Sequence, residues 1–367
     1  MRARYNKSTS PKTPAKEQGA ALLIALVIMS IAMGIAVNIM FRQQLHTRLA
    51  VNISNLEQLY PYATGLEDFS RTILARDFQD APKTDNLSEI WAKKIPPIPI
   101  PGGAMTGHLV DLQAKLNLNN LIPPTRPISE NPALPEGESE DSLSDKEKAI
   151  RAEQRRYSIT KSRVTALLKT IDPDTTLGPA VNFSDLVTDW IDSDSTTRET
   201  GAESDYYQAL DPPYNASNSN FASISELRLL RDIDKKAFTL LKKHLAVLPE
   251  ITSVNVNTAS AETLQALGFT PDAASEITNR VKDTPFETLQ EFLEMAVVQV
   301  ATEHAEGTEP MVHTDDLSVT SSYFLLQGEV NIGTAKVYIN SILHRKDDKV
   351  MVISRDFSNQ QIVEPKE

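Results

Sequence analysis

From Ala20 to Phe41 the chain is almost uninterruptedly apolar, and no other stretch constrains its architecture as strongly. About 20 such residues suffice to cross a bilayer as a helix. The residues ahead of the run carry Arg2, Arg4, Lys7, Lys12 and Lys16 against one acid, Glu17. Positive flanks stay cytoplasmic, so the leader is expected inside and everything after Phe41 exported. A secretory signal places its apolar core before a small-residue cleavage site. Here the small residue Gly19 precedes the run, so a cut at Gly19-Ala20 would leave the spanning helix on the mature chain. The alternative is an uncut signal anchor in which Gly19 is incidental.

Charge narrows the class of partner. Removing the leader's five bases and one acid from the chain's 37 bases and 49 acids leaves 32 against 48, so the exported part is near −16. Phosphate binding depends on Lys and Arg, so nucleic acid and anionic membrane surfaces are disfavoured as partners, whereas metal cations are compatible. Cysteine is absent, which excludes disulfides and thiolate chemistry. Bound calcium could supply some of the missing cross-linking.

The stretch Lys16-Glu17-Gln18-Gly19-Ala20-Ala21-Leu22-Leu23-Ile24 resembles the processing site of type IV pilin-like proteins, in which the cut follows the glycine. Counting Ala20 as the first mature residue, the fifth is Ile24, where most members of that superfamily carry glutamate. A carboxylate at that depth costs a few kcal/mol unless it is neutralised. In the superfamily its partner is the terminal ammonium of the preceding subunit. A subunit with Ile24 has no acid to offer a predecessor, which suits the first position of a stack.

Beyond the membrane Leu45, Leu49, Ile53, Leu56, Tyr60, Ala63, Leu66, Phe69 and Ile73 recur at helical steps, and Pro61 is expected to kink or interrupt that helix. Candidate strands lie at 107–117 and, about 200 residues later, at 323–330, 336–343 and 350–353. Two sheet segments so far apart imply an inserted domain between them. The Pro-, Ser- and Glu-rich segment 122–143 is expected to be a flexible loop. Ser144-x-x-Glu147 has the form of a capping box opening a helix, and Ser223-x-x-Glu226 of another. Phe183, Leu186, Val187, Trp190 and Ile191 mark a single-faced helix. The stretch 254–295 reads as three helices, with Thr270-Pro271 and Thr284-Pro285 as starts and Thr284-x-x-Glu287 as a box.

Two constellations could carry chemistry. Asp189, Asp192, Asp194, Glu203 and Asp205 put five carboxylates within seventeen residues. The EF-hand pattern does not fit, since Thr197 stands where glycine is expected and Arg198 lies inside the loop, but a calcium loop of another geometry does. An acidic solvated loop is the alternative reading. Residues 254–264 resemble the opening of helix-hairpin-helix modules, some of which bind DNA. The hairpin Leu267-Gly268-Phe269-Thr270-Pro271 lacks the second glycine, and 254–295 carries seven acids against two bases, which favours packing or protein docking. The six histidines show no zinc spacing, and no nucleophile elbow or phosphate loop occurs, so no enzyme is expected.

In this order, Gly19 to Ile24 without the glutamate, Asp111-Leu112-Gln113, Leu116-Asn117-Leu118-Asn119-Asn120-Leu121, Asp189-Trp190-Ile191-Asp192, 201–207, 223–228 and 251–261 resemble the GspK family of type II secretion minor pseudopilins. The resemblance implies an α+β fold. A long N-terminal transmembrane helix packs on an antiparallel pilin-like sheet that is interrupted by a large all-helical domain, SAM-like or helix-hairpin-helix-like. The implied division is a cleaved leader 1–19, a helix 20–75, the first part of the core 76–121, a linker 122–156, a helical insert of two units 157–296 and the rest of the sheet 297–367. It further implies a periplasmic domain anchored by one pass in the bacterial inner membrane, at the tip of a pseudopilus. The implied partners are the minor pseudopilins GspI and GspJ, then GspH and the major pseudopilin, with a prepilin peptidase acting at Gly19-Ala20. Family members bind calcium in the helical domain, which makes the five carboxylates the candidate ligands. A minor pilin-like DNA-uptake or adhesion subunit is the alternative. We expect an intact mass that begins at Ala20, with N-methylation; a retained Met1, or a cut beyond Phe41, would refute the junction.

Overall fold

The computed structural model describes residues 15–123, 144–173, 180–303 and 312–358. Leader residues 1–14 and most of the Pro-rich segment expected to be a flexible loop lie outside them. One helix, α1 (Ala15–Asp80), carries the apolar run, and among the described residues it is the one helix long and apolar enough to cross a membrane. At about 1.5 Å per residue it reaches roughly 100 Å. It passes through Pro61 as α-helix, contrary to an interruption there. Packing overrides the lost hydrogen bond, because Leu59, Ala63, Leu66 and Leu74, on either side of the proline, are buried against the sheet. The buried face therefore begins at Leu59. Leu45, Leu49, Ile53, Leu56, Tyr60 and Phe69 remain exposed.

The sheet has five antiparallel strands in the order β1 (Ile95–Ile100), β2 (Gly103–Asp111), β7 (Tyr323–Ile332), β8 (Ala335–Lys346) and β9 (Lys349–Ser358). The three C-terminal strands match expectation in place and run longer. Strand β1 was not expected, because Ile95-Pro96-Pro97-Ile98-Pro99-Ile100 is poor ladder material; it is tolerated at the edge, where missing N–H groups go unused. The expected strand 107–117 ends early, at Asp111, whose side chain accepts from Gln113 N at 2.8 Å and turns the chain into a 3-10 turn. Gly107 and Gly328 are register partners beneath α1. A Cβ on Gly328 would lie 2.6 Å from Leu66 Cδ2, so the pair lets helix and sheet approach closely.

The insert enters after β2 and leaves before β7. Two short parallel pairings tie it in: β3 (Leu116–Asn117) with β4 (Leu245–Ala246), and β5 (Val254–Asn255) with β6 (Leu317–Ser318). Its helices are α2 (Asp145–Ile171), α3 (Ala180–Ile191), α4 (Ser204–Gln208), α5 (Lys235–His244), α6 (Ala261–Ala266), α7 (Pro271–Asp283), α8 (Leu289–Leu293) and α9 (Ala296–Thr302). Ser144 and Glu147 form the expected box ahead of α2, and Thr270 with Pro271 opens α7. The Ser223–Glu226 box exists but opens a 3-10 turn, 224–229. Thr284 is not a helix start: it closes α7, and α8 is capped by Thr288, whose Oγ1 accepts from Glu291 N at 3.1 Å. A single apolar core, from Leu116 through Trp190 and Phe292 to Val319, runs through all of these helices except short connecting turns.

A buried polar seam joins insert and sheet. Arg345 of β8 donates to Asp77 at 3.2 Å, to both oxygens of Asp85 at 2.5 and 2.6 Å, and to Ser321 O at 2.8 Å. Asp111 accepts from Ser321 Oγ and Thr258 Oγ1, both at 2.6 Å, and from Asn255 Nδ2 at 3.2 Å. Complete burial pushes Asp111 up to about 6 against those bonds. Burial pushes Glu89 up to about 7, with Trp91 Nε1 opposing at 2.6 Å and Asp77 reinforcing. A carboxyl whose folded value lies above its unfolded one stabilises fully at acid pH and loses that contribution as pH rises to the folded value. Glu89→Gln should therefore raise the melting temperature at pH 8 by roughly 2–4 °C for each kcal/mol recovered, and leave it unchanged near pH 4. An equal shift at both pH values would assign the effect to packing instead.

Candidate cation site

Helix α3 places Asp185, Asp189 and Asp192 at i, i+4 and i+7, one face of the helix and its end. The opposite face is the predicted one: Phe183, Leu186, Val187, Trp190 and Ile191 are all buried. Trp190 packs edge-on against Tyr207 of α4 at 5.3 Å and stacks with Phe221 at 6.4 Å, which fixes α3 against the loop that follows it. That loop returns through Gly201 to Glu203, whose side chain makes no capping bond to α4. Asp189, Asp192 and Glu203, all buried, each bring a carboxylate oxygen to within 4.8 Å of the others.

Two of the five predicted ligands do not join them. Asp194 is exposed and accepts from Thr196 N at 2.7 Å, closing a local turn. Asp205 is exposed in the first turn of α4, where a negative charge suits the helix N-terminus. Asp185 pairs elsewhere, with Lys161 Nζ at 2.7 Å and Thr200 Oγ1 at 2.6 Å. The residue missed by sequence reasoning is Arg198, noted only as a misfit in the calcium-loop pattern. Its Nη1 lies 2.6 Å from Asp189 Oδ1 and 2.5 Å from Asp192 Oδ2, and its backbone N donates to Asp189 Oδ2 at 3.1 Å.

One guanidinium does not satisfy three carboxylates. Asp192 Oδ1 and both oxygens of Glu203 are buried without a hydrogen-bond partner, a costly arrangement unless something binds there. Burial, then the Asp189 and Asp192 charges, push Glu203 up to about 7. Burial also raises Asp189 and Asp192 against the pull of Arg198. Burial opposes the charge on Arg198, but hydrogen bonds to Asp189 and Asp192 hold it firmly protonated. A Cβ on Gly201 would fall 1.8 Å from Asp189 Oδ2, so glycine is required for the loop to close over the cluster. All-oxygen, anionic donors with unsatisfied lone pairs fit a hard divalent cation such as calcium. Asp77, Asp85 and Glu89 form a second acidic group, but Arg345 and Trp91 already occupy it.

The other residues singled out in the sequence serve the fold. Asn119 exchanges both amide groups with the backbone of Phe221, at 3.0 and 2.9 Å, and Asn257 does so with Phe286, at 2.9 Å each. Asn117 accepts from Leu248 N at 3.1 Å and donates to Glu250 O at 2.8 Å. In the helix-hairpin-helix-like turn Gly268 adopts φ +114°, and Thr270 caps α7 beside it. Gly19, Ala20 and Ile24 lie along the exposed start of α1.

Family models described as "Type II secretion system (T2SS), protein K" match residues 114–250 and 254–308, together more than half of the chain. Among curated proteins, type II secretion system protein K of Aeromonas hydrophila is 29% identical over 93% of this chain and 97% of its own length. The protein K of Pseudomonas aeruginosa is 26% identical over 93% and 92%. A chain in the crystal structure of the GspK-GspI-GspJ complex from enterotoxigenic Escherichia coli shares the fold, with a TM-score of 0.63, at 21% identity over 83% of this chain and 97% of that one.

Proposed function

Because this chain belongs to the type II secretion system protein K family, we propose that it is a minor pseudopilin, a structural rather than catalytic subunit, at the tip of the secretion pseudopilus. In this reading α1 anchors it in the inner membrane with the sheet and insert in the periplasm. A prepilin peptidase frees Ala20, which is then methylated. The subunit initiates assembly with counterparts of GspI and GspJ, followed by GspH and the major pseudopilin, and so supports export across the outer membrane. The observation that carries the reading is the first part of α1: an apolar helix with no acid at Ile24, followed by Leu45, Leu49, Ile53 and Leu56, which its own sheet leaves uncovered. Those side chains offer neighbouring helices an apolar face, while a missing carboxylate removes any reason for a subunit to sit ahead. A similar chain was crystallised with GspI and GspJ, which supports the choice of partners. The acidic helix-hairpin-helix-like module argues against DNA uptake, since phosphate needs basic neutralisation.

The test is co-purification from detergent-solubilised membranes with the counterparts of GspI and GspJ. Wild type should recover both, and Ile24→Glu should recover less; full recovery with Ile24→Glu would refute the argument from the missing acid. Calcium is proposed as ligand of Asp189, Asp192 and Glu203, where it would neutralise and cross-link α3 to the start of α4. A ligand at about 100 times its Kd stabilises the native state by about 2.7 kcal/mol. Millimolar calcium should thus raise the melting temperature over that in chelator, and an unchanged value would remove the metal from the reading.

A further inference from the structure

We infer that Arg198 is a tethered counter-cation occupying the position of the proposed calcium ion, so that metal binding is an exchange and this side chain sets the affinity. The inference rests on the cation reading of the Asp189, Asp192 and Glu203 cluster. Calcium binds oxygen at about 2.3–2.6 Å. Arg198 Nη1 lies 2.6 Å from Asp189 Oδ1 and 2.5 Å from Asp192 Oδ2, so a metal bridging these oxygens at the same point would coincide with the guanidinium nitrogen. The guanidinium is also an incomplete substitute. It carries one charge against three carboxylates and leaves Asp192 Oδ1 and both Glu203 oxygens unpartnered, all of them buried. A divalent ion accepting six to eight oxygens answers that deficit.

The side chain has a way out. Its exposure is 28%, against 0% for Asp189 and 6% for Asp192, and it projects from the loop between α3 and α4. Swinging outward would break the two Nη1 bonds while the backbone N of Arg198 could keep Asp189 Oδ2, holding the loop in place. Exposed Asp194 and Glu199 on the same loop keep its outer side acidic and receptive to the displaced charge. Without metal the arginine prevents three buried carboxylates from repelling one another. With metal it would be a competitor removed. The fold is thus protected before calcium is met, at a cost in affinity.

The experiment uses the full-length chain in detergent, with calcium titrations by calorimetry and melting in chelator, for wild type, Arg198→Gln and Arg198→Lys. Arg198→Gln should bind calcium at least about a hundredfold more tightly, matching the loss of two charge-assisted hydrogen bonds, and melt lower than wild type in chelator. Arg198→Lys, which keeps a charge without the fork, should fall between them in both respects and remains informative if the glutamine variant does not fold without metal. If wild type binds calcium and both variants bind equally or more weakly, the exchange is wrong and the cation site stands. If no variant binds calcium, the site itself is wrong.

Discussion

Helix, sheet and the connection between them are organised around one buried guanidinium. Arg345 sits on β8 and holds Asp77 at the end of α1, Asp85 in the connection beyond it and the carbonyl of Ser321 just before β7. Its plane lies against Phe324 and Phe78, at 4.9 and 5.5 Å. Removing one partner from such a group would leave an uncompensated buried charge, costing about 3–5 kcal/mol, whereas an apolar pair of the same volume could be as stable. Its contribution is therefore best sought in alignment. Helix, connection and sheet meet at one point because each owes the same cation a ligand.

The seam continues into the insert through asparagines. Asn255 donates to Asp85 O, Asp111 Oδ2 and Ser321 Oγ, at 3.0, 3.2 and 2.9 Å, and so touches both banks of the junction. Asn119 and Asn257 each present a side-chain amide to a distant backbone as a strand would, satisfying an N–H and a C=O that the irregular chain leaves bare. A domain of short helices has many such orphaned groups. Here the answer is side chains that imitate a peptide.

Elements with local causes were legible in the sequence. The caps at Ser144 and Thr270, the apolar face of α3 and the three C-terminal strands each follow from neighbours within a few residues. Non-local causes were not. Pro61 stays helical because a sheet built from much later residues grips both sides of it. Asp194 reads like Asp192 in the sequence and is separated from it only by the direction the loop takes. Arg198 looked like an intruder in a metal-binding pattern, and only the folded loop brings its charge between Asp189 and Asp192. The helix-hairpin-helix-like and GspK-like segments were recognisable as patterns, but much of what their residues do is hydrogen bonding inside the fold.

The edge strand β1 has an implication for how subunits come together. With Pro96, Pro97 and Pro99, it has few amide hydrogens to offer another strand. A neighbour cannot readily be recruited sideways by extending the ladder at that margin. What remains open to neighbours is the bare first half of α1, a surface that joins by side-chain packing rather than by backbone ladders.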